Sequence, residues 1–397
     1  LNVRHIDLGL VFLAKNAKIQ LYYNELFVMV FYMFSPRFTI TNHLLTYIAK
    51  IEAARALIEN SALVPAWEAK FRDDALKRSV HYGTKVEGND LTEEQANQIV
   101  SLNDLADSQT AIQRAGIIAR DRDVQEVINY RNVMTWIDQW EKFVTKPTVI
   151  SEDILKTLHK LTTQRLLEQQ YIGNFRDKQV VVRSARDHSV AFRPPLAVEI
   201  PTLVDEFFRW LNNPSTQELH PIFRAAITHY QMVYIHPFIE GNGRTARALA
   251  TLVLYSSGYD FKKFFSLEKY FDDDVEKYYE ALLSVQQTQQ HDLTYWLEYF
   301  CYGLAIEIEK IKMQVLKLSK DLKLKQQLGE QVALTERQII LLELFQKQGQ
   351  ITSHDAQMVL PNVSVDTILR DLKDLLKKGV IEKKGVTKGV LYQLKSA

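Results

Sequence analysis

Apolar residues along most of the chain recur three and four positions apart, as in Leu44, Leu45, Ile48, Ile51 and Ala54. That interval is one face of an α-helix. A helix is predicted from about Trp67 to Glu87, ending at Gly88-Asn89, a pair suited to a C-cap. Thr92 with Gln95 predicts a capping box that opens the next helix. Helical stretches follow over about 109–143 and 151–168. The period then shortens. Residues 179–183 (QVVVR) and 189–192 (SVAF) read as two short strands around a polar turn at 184–188. Pro194 and Pro195 close this hairpin, and helices resume from about Ile200. A charged amphipathic helix over about 305–328 suits a connection between domains. Beyond Leu334, capping boxes are predicted at Thr335/Gln338 and Thr352/Asp355. Three helical segments at 336–347, 353–359 and 364–378 lead into strands at 380–381 and 390–392 around a turn at 385–389. That order is a winged helix-turn-helix, a module that also serves for packing or dimerisation.

The predicted fold is therefore mainly α, with one short hairpin in the middle and a winged helix at the end. A length of 397 residues exceeds one ordinary compact core. We divide it into an N-terminal extension (1–35), a helical region (36–145), a central core (146–304), a linker helix (305–330) and the winged helix (331–397). A net charge of +1 supplies no global attraction to nucleic acid or anionic membrane. Cys301 is the single cysteine, which excludes an intrachain disulfide and a CxxC zinc site. A reducing, cytoplasmic setting is expected. The apolar run 26–34 (LFVMVFYMF) is shorter than the ~20 residues a membrane span needs, and 35–37 (SPR) is a poor cleavage site. Residues 1 to about 32 read as a peripheral helix or an upstream extension, with Met33 as an alternative start. No membrane partner is expected.

The chemistry concentrates in 236–247 (HPFIEGNGRTAR). A helix carrying Ile227, Tyr230 and Tyr234 must end near His236, because the residue before proline is pushed out of helical geometry. Gly241-Asn242-Gly243 permits a tight turn with open backbone amides. A second helix starts there, with Ala246, Leu249, Leu252 and Val253 on one face. A glycine turn opening a helix is an anion site. Arg244 and Arg247 crowd the positive end of that helix, a cost that polyphosphate would offset. Glu240 adds a hard oxygen ligand suited to Mg²⁺, which keeps most of its water and bridges phosphates. His236 at the mouth can accept a proton near neutral pH. A surface histidine with incidental arginines would explain any one of these residues, but not four phosphate-handling features within twelve positions.

This stretch resembles the Fic family signature, HPFx[D/E]GNGRxxR, at every specified position, and the resemblance extends over about residues 60–300. Residues 173–176 (GNFR) are similar to the family's lead-in to its target-binding flap, and the tail resembles the winged helix of bacterial members. The resemblance implies a Fic-type helical core and transfer of AMP from Mg-ATP to a Ser, Thr or Tyr hydroxyl of a target protein and of the chain itself. His236 would be the base. Glu240 would hold Mg²⁺, while Asn242 with the Gly241 and Gly243 amides would stabilise the transition state. Arg244 and Arg247 would grip the β- and γ-phosphates. Phe238 would anchor the loop, and the flap at 179–192 would pair with an extended target segment. Residues 84–89 (TKVEGN) resemble the inhibitory motif [S/T]xxxE[G/N], with Glu87 as its glutamate. They depart from it at position 83, where Gly stands for Ser or Thr.

Two other readings stay open. One is a related chemistry of the same motif: phosphorylation, UMP transfer or removal of AMP. The other is a nucleotide-sensing DNA-binding regulator. Lys377, Lys378, Lys383, Lys384 and Lys388 give the tail a basic edge, but Asp366, Asp371 and Asp374 on its third helix would repel phosphates. A homodimer is also left open. His81 and His229 read as ordinary packed or solvated helix residues.

Overall fold

The computed structural model describes residues 34–61, 63–102, 107–140, 149–183, 190–288, 290–327, 334–361, 363–385 and 390–395. The N-terminal extension up to residue 33, the hairpin turn at 184–188 and most of the turn at 385–389 lie outside them. Elements run in the order α1 (Asn42–Asn60), α2 (Pro65–Lys85), α3 (Glu93–Val100), α4 (Ser108–Ala115), α5 (Asp121–Gln139) and α6 (Glu152–Thr163). The hairpin β1 (Val182–Arg183) and β2 (Val190–Phe192) follows, then α7 (Ile200–Leu211), α8 (Pro214–Gln217), α9 (Pro221–Ile235) and α10 (Asn242–Ser256). Next come α11 (Glu268–Asp273), α12 (Val275–Gln287) and the long α13 (Thr294–Gln327). The tail holds α14 (Glu336–Gln348), β3 (Gln350–Ile351), α15 (Ser353–Val359), α16 (Val365–Lys377), β4 (Ile381–Lys384) and β5 (Leu391–Leu394). The mainly helical fold with few strands is as expected. Among the described residues, no helix is long and apolar enough to cross a membrane.

Two compact units divide the chain: 1–61 with 68–314, and 62–67 with 315–397. In the first, α10 packs most extensively on α9 and also on α5 and α6. Its core includes Phe207, Ile227, Phe238, Leu249 and Trp296, all fully buried. The Trp296 indole N–H is satisfied by the Ala226 carbonyl at 2.7 Å. His229 is a packed core residue, its Nε2 2.8 Å from the Tyr278 hydroxyl. The stretch predicted as helical over 109–143 is two helices, because Gly116 caps α4 in the left-handed conformation (φ 65°). The hairpin is antiparallel and shorter than predicted, with Val182 opposite Phe192. The capping boxes at Thr92, Thr335 and Thr352 all form.

The second unit gathers Leu341, Phe345, Ile368, Leu372, Leu375 and Ile381 into one core beneath a three-stranded sheet ordered β3-β5-β4. One of the acidic residues of α16 lies elsewhere than predicted. Asp371 is buried and accepts from Arg337 Nε at 2.7 Å, and Asp374 accepts from Gln338 Nε2 at 2.7 Å. Both tie α16 to α14, but Asp374 stays 43% exposed and also pairs with Lys378, so only Asp371 is withdrawn from the surface.

The departure at position 83 has a steric cause. A Cβ on Gly83 would sit 2.4 Å from Cε1 of the fully buried Tyr130 ring. Gly83→Ala should therefore lower stability by about 1–3 kcal/mol, the range for overpacking a core. An unchanged denaturant midpoint would show that the ring has room to retreat.

Candidate active site

Pro237 ends α9, and His236 takes the left-handed conformation (φ 51°, ψ 56°) as its C-cap. Arg176 fastens this corner. Its Nε donates to the His236 carbonyl at 2.8 Å, and its backbone N–H donates to the Pro237 carbonyl at 2.9 Å. Its two remaining nitrogens donate to the carbonyls of Lys178 (2.9 Å) and Pro195 (2.6 Å), on the two sides of the hairpin's base. One buried guanidinium thus joins the flap to the end of α9. On the ring of His236, Nδ1 lies 3.2 Å from the Val233 carbonyl. A proton on Nδ1 satisfies that contact and leaves Nε2 as an acceptor. Burial lowers the pKa of this imidazole against the opposing pull of the Val233 bond and Glu87. The ring is therefore neutral at pH 7.

The loop that follows rests on an aromatic stack. Phe238 lies flat on His159, ring centres 3.7 Å apart and planes within 6°. His159 Nδ1 accepts from the Gly173 N–H at 2.9 Å, which puts its proton on Nε2, 2.9 Å from the Glu240 carbonyl. Both polar atoms of the Asn242 side chain are engaged with the backbone of Phe238, Oδ1 accepting and Nδ2 donating at 2.9 Å each. Gly241 (φ 79°) has no room for a Cβ, which would meet Thr163 Cγ2 at 2.7 Å.

Glu87 reaches the first turn of α10. Its Oε1 lies 2.8 Å from Arg247 Nη2, and that same nitrogen donates to the Gly83 carbonyl at 2.7 Å. Gly243 makes the approach sterically open: a Cβ there would lie 2.1 Å from Glu87 Oε1. The Thr84 hydroxyl bonds instead to the Val80 and His81 carbonyls of its own helix, 3.0 Å each. Burial opposes both charges of the Glu87–Arg247 pair, but each partner more than offsets it for the other. The carboxyl is held below its usual range, with help from Arg244, and the guanidinium is held above its own.

Arg244 is 3% exposed and lies 3.4 Å from Glu126 and 3.8 Å from Glu240. Nε and Nη1 of both Arg244 and Arg247 are buried without a hydrogen-bond partner among the described residues. Unmade bonds from buried cations are costly unless an anion completes them. A cleft of about 290 Å³ opens beside Arg244, lined by Glu87, Arg122, Glu126, Glu240 and Gly241 among others. No cluster of three or more potential metal ligands occurs among the described residues. Glu240 alone at the rim, beside open phosphate donors, fits a Mg²⁺ that arrives with polyphosphate and its own water.

All the site residues predicted from the sequence converge here: His236, Glu240, Gly241, Asn242, Gly243, Arg244, Arg247 and Glu87. Glu126 and Arg122 join the site without any motif to mark them, and Asn89, expected only as part of a helix end, has its Nδ2 donating to Glu126 Oε2 at 2.9 Å and to the Asp123 carbonyl at 3.0 Å. The dense charge at the start of α5 (Asp121, Arg122, Asp123, Glu126) was the available signal.

The loop 236–243 between α9 and α10, with His236 at one end and Arg244 and Arg247 at the other, lies within a stretch that is similar to a known family. Residues 149–254 match the Fic/DOC family model. The chain is 29% identical over 211 residues to the Drosophila ananassae protein adenylyltransferase Fic, covering 53% of this chain and 37% of that protein. The Drosophila willistoni protein of the same name is 30% identical over 217 residues, covering 53% and 38%. The chain thus spans under two-fifths of the length of the curated relatives it matches. Among solved structures, a Fic family protein from Desulfovibrio desulfuricans aligns with TM-score 0.60 and 22% identity over 92% of this chain and 99% of that one. Fic-1 from C. elegans aligns with TM-score 0.51 and 22% identity over 69% and 71%.

Burial lowers the His159 pKa to about 4, from an ordinary 6.5. Below pH 6.5 the unfolded chain takes up a proton there that the folded chain refuses. Stability should fall by about 3 kcal/mol between pH 6.5 and pH 4 on this account and be unaffected above pH 6.5. Denaturation of the parent and of His159→Gln across that window checks it: the parent's slope should exceed the variant's.

Proposed function

We propose that the chain transfers AMP from Mg-ATP to a hydroxyl of a protein side chain, its own included, and that Glu87 holds it largely inactive. The observation that carries this reading is the pair of buried guanidiniums on the first turn of α10. Arg244 lines the cleft and Glu87, the partner of Arg247, lines it too, one loop away from a neutral histidine with a free acceptor nitrogen. The names of the Drosophila relatives support the same chemistry.

In this mechanism His236 Nε2 takes the proton of the target hydroxyl as its oxygen attacks the α-phosphorus. A new P–O bond forms, the bond to the bridging α–β oxygen breaks, and pyrophosphate leaves. Arg244 and Arg247 would hold the β- and γ-phosphates. Backbone N–H groups of the 241–243 turn would face the charge that develops on the α-phosphate. Glu240 would hold Mg²⁺, which supplies neutralisation of the phosphate oxygens. Asn242 acts here by bracing the loop, since its amide is engaged with Phe238. The hairpin would accept an extended target segment along its edge, by main-chain pairing.

Glu87 occupies Arg247, so the γ-phosphate has no grip while the pair stands. A charge-assisted bond contributes ~1.5–3 kcal/mol, which leaves a leak of about 1–10%.

Mass spectrometry of the protein incubated with ATP, GTP, CTP or UTP and Mg²⁺ tests the reaction. A mass gain matching AMP is expected; gain of phosphate or UMP alone would replace this reading with a related one. Glu87→Gly should raise self-modification about ten- to a hundredfold, the inverse of that leak. An equal rate would remove the inhibitory role.

His236→Ala should abolish transfer while leaving ATP affinity within severalfold, because it removes the base and no phosphate contact. The base works only when neutral, so activity is present above its pKa and lost as pH falls through it. That pKa is lowered from 6.5, which places the acid limb of kcat/KM below pH 6.5. Glu87 raises it, so the limb should lie lower still in Glu87→Gly.

A further inference from the structure

We propose that Arg122 is the resident counter-cation of Glu240. It occupies the carboxylate that a divalent cation would take, so the metal enters only together with a polyphosphate. This rests on the reading above, in which Glu240 is the metal-holding residue.

Arg122 belongs to the first turn of α5, where a cation is disfavoured by the helix dipole. It reaches across to a segment more than a hundred residues away, and Nη2 donates to Glu240 Oε1. Its Nε lies 3.4 Å from Glu126 Oε1. Arg244 approaches the same two oxygens from the other side, 3.8 Å from Glu240 Oε1 and 3.4 Å from Glu126 Oε1. Two carboxylates and two guanidiniums thus form a closed ring of alternating charge at the cleft. The four formal charges cancel.

A bare divalent cation meets this ring as an intruder. To reach Glu240 it must sit beside two guanidiniums that already neutralise the carboxylate, and nothing then balances its charge. A polyphosphate changes the balance. Its oxygens can take Arg244, whose Nε is buried without a hydrogen-bond partner and whose Nη1 has only the 3.4 Å ion pair to Glu126. Glu240 is then released from that side, and negative charge accompanies the metal. The two arginines are not equivalent in their freedom. Arg244 is 3% exposed and held within α10, whereas Arg122 is 52% exposed and can swing into water. The movable partner is therefore Arg122, on a long flexible side chain whose exposed ion pair is weak and reversible. Glu240, 37% exposed, stays at the rim to receive the metal.

The test uses Mn²⁺ as a paramagnetic probe, titrated into the full chain by EPR without nucleotide. Parent, Arg122→Ala, Arg122→Lys and the double variant Arg122→Ala/Glu240→Gln are compared. Arg122 is half exposed, so the variants should fold, and matching thermal melts check this. Arg122→Ala should bind Mn²⁺ at least tenfold more tightly than the parent. Arg122→Lys, which keeps the charge, should stay within severalfold of the parent, and the double variant should lose the gain. With ATP present, parent and Arg122→Ala should bind Mn²⁺ within severalfold of each other. Equal Mn²⁺ affinity of parent and Arg122→Ala without ATP overturns the proposal, as does a gain that survives Glu240→Gln.

Self-modification of Glu87→Gly, read by mass, separates the two levels. Transfer with no Arg122 effect on Mn²⁺ rejects the counter-cation alone. Absence of transfer, with Mn²⁺·ATP binding unaffected by Glu240→Gln, rejects the reading beneath it as well.

Discussion

A guanidinium buried to 2% exposure must have an anion beside it, and Arg247 has one in Glu87 at 2.8 Å. Leaving a buried charge unpaired costs several kcal/mol, so the first turn of α10 always holds something negative. That requirement explains features that otherwise look unrelated. Gly243 has no side chain because Glu87 Oε1 fills its Cβ position, and Gly83 has none because the Tyr130 ring does. With no hydroxyl available at position 83, the backbone carbonyl of Gly83 supplies the second acceptor for Arg247. On the proposed reading the carboxylate and a phosphate are alternative occupants of one hole, and binding and restraint share a single cation.

The wall facing this hole is the start of α5. Glu126 takes Arg244, and Asn89 holds Glu126 from behind while also donating to the Asp123 carbonyl. Asn89 sits just past the end of α2, so the segment carrying Glu87 is anchored to α5 independently of Arg247. Gly88, at φ 89° with open space around its Cβ position, lies between the anchor and the glutamate. The Glu87 side chain can leave its partner without loosening the end of α2, two residues before it.

Local features were legible in the sequence, and distant pairings were not. Pro237 ends α9 and Gly241 opens α10 through constraints on their own backbones, so the turn and its arginines could be read directly. The three capping boxes are equally local. Glu126 and Arg122 are about 118 residues from their partners, and nothing in their neighbourhood distinguishes them from solvated charges at a helix start. His159 reads as one more polar residue on α6 until Phe238 is laid on its ring. Asp371 differs for the same reason: helical periodicity does not say which neighbour covers a face, and Arg337 of α14 covers it. Gly116 was a local stop signal hidden within a longer run of helix-compatible residues.

The distribution of burial around the loop divides the site into fixed and movable parts. Phe238 is fully buried, Asn242 is 4% exposed and Arg244 is 3% exposed. Each is held by contacts that survive any change of ligand: the His159 stack, the Phe238 backbone and the body of α10. Such a loop is preorganised, and its amides need no rearrangement to meet developing charge. Glu87 and Arg122 are different, with side chains 28% and 52% exposed at the rim of the same cleft. Each ends in a charge paired with a group that the proposed reading assigns to the ligand, Arg247 in one case and Glu240 in the other. A nucleotide with its metal carries both of the charges required to displace them, the anion for the arginine and the cation for the carboxylate. Neither component alone offsets both. On the proposed reading, control therefore falls to two side chains of opposite sign, while the loop between α9 and α10 stays still.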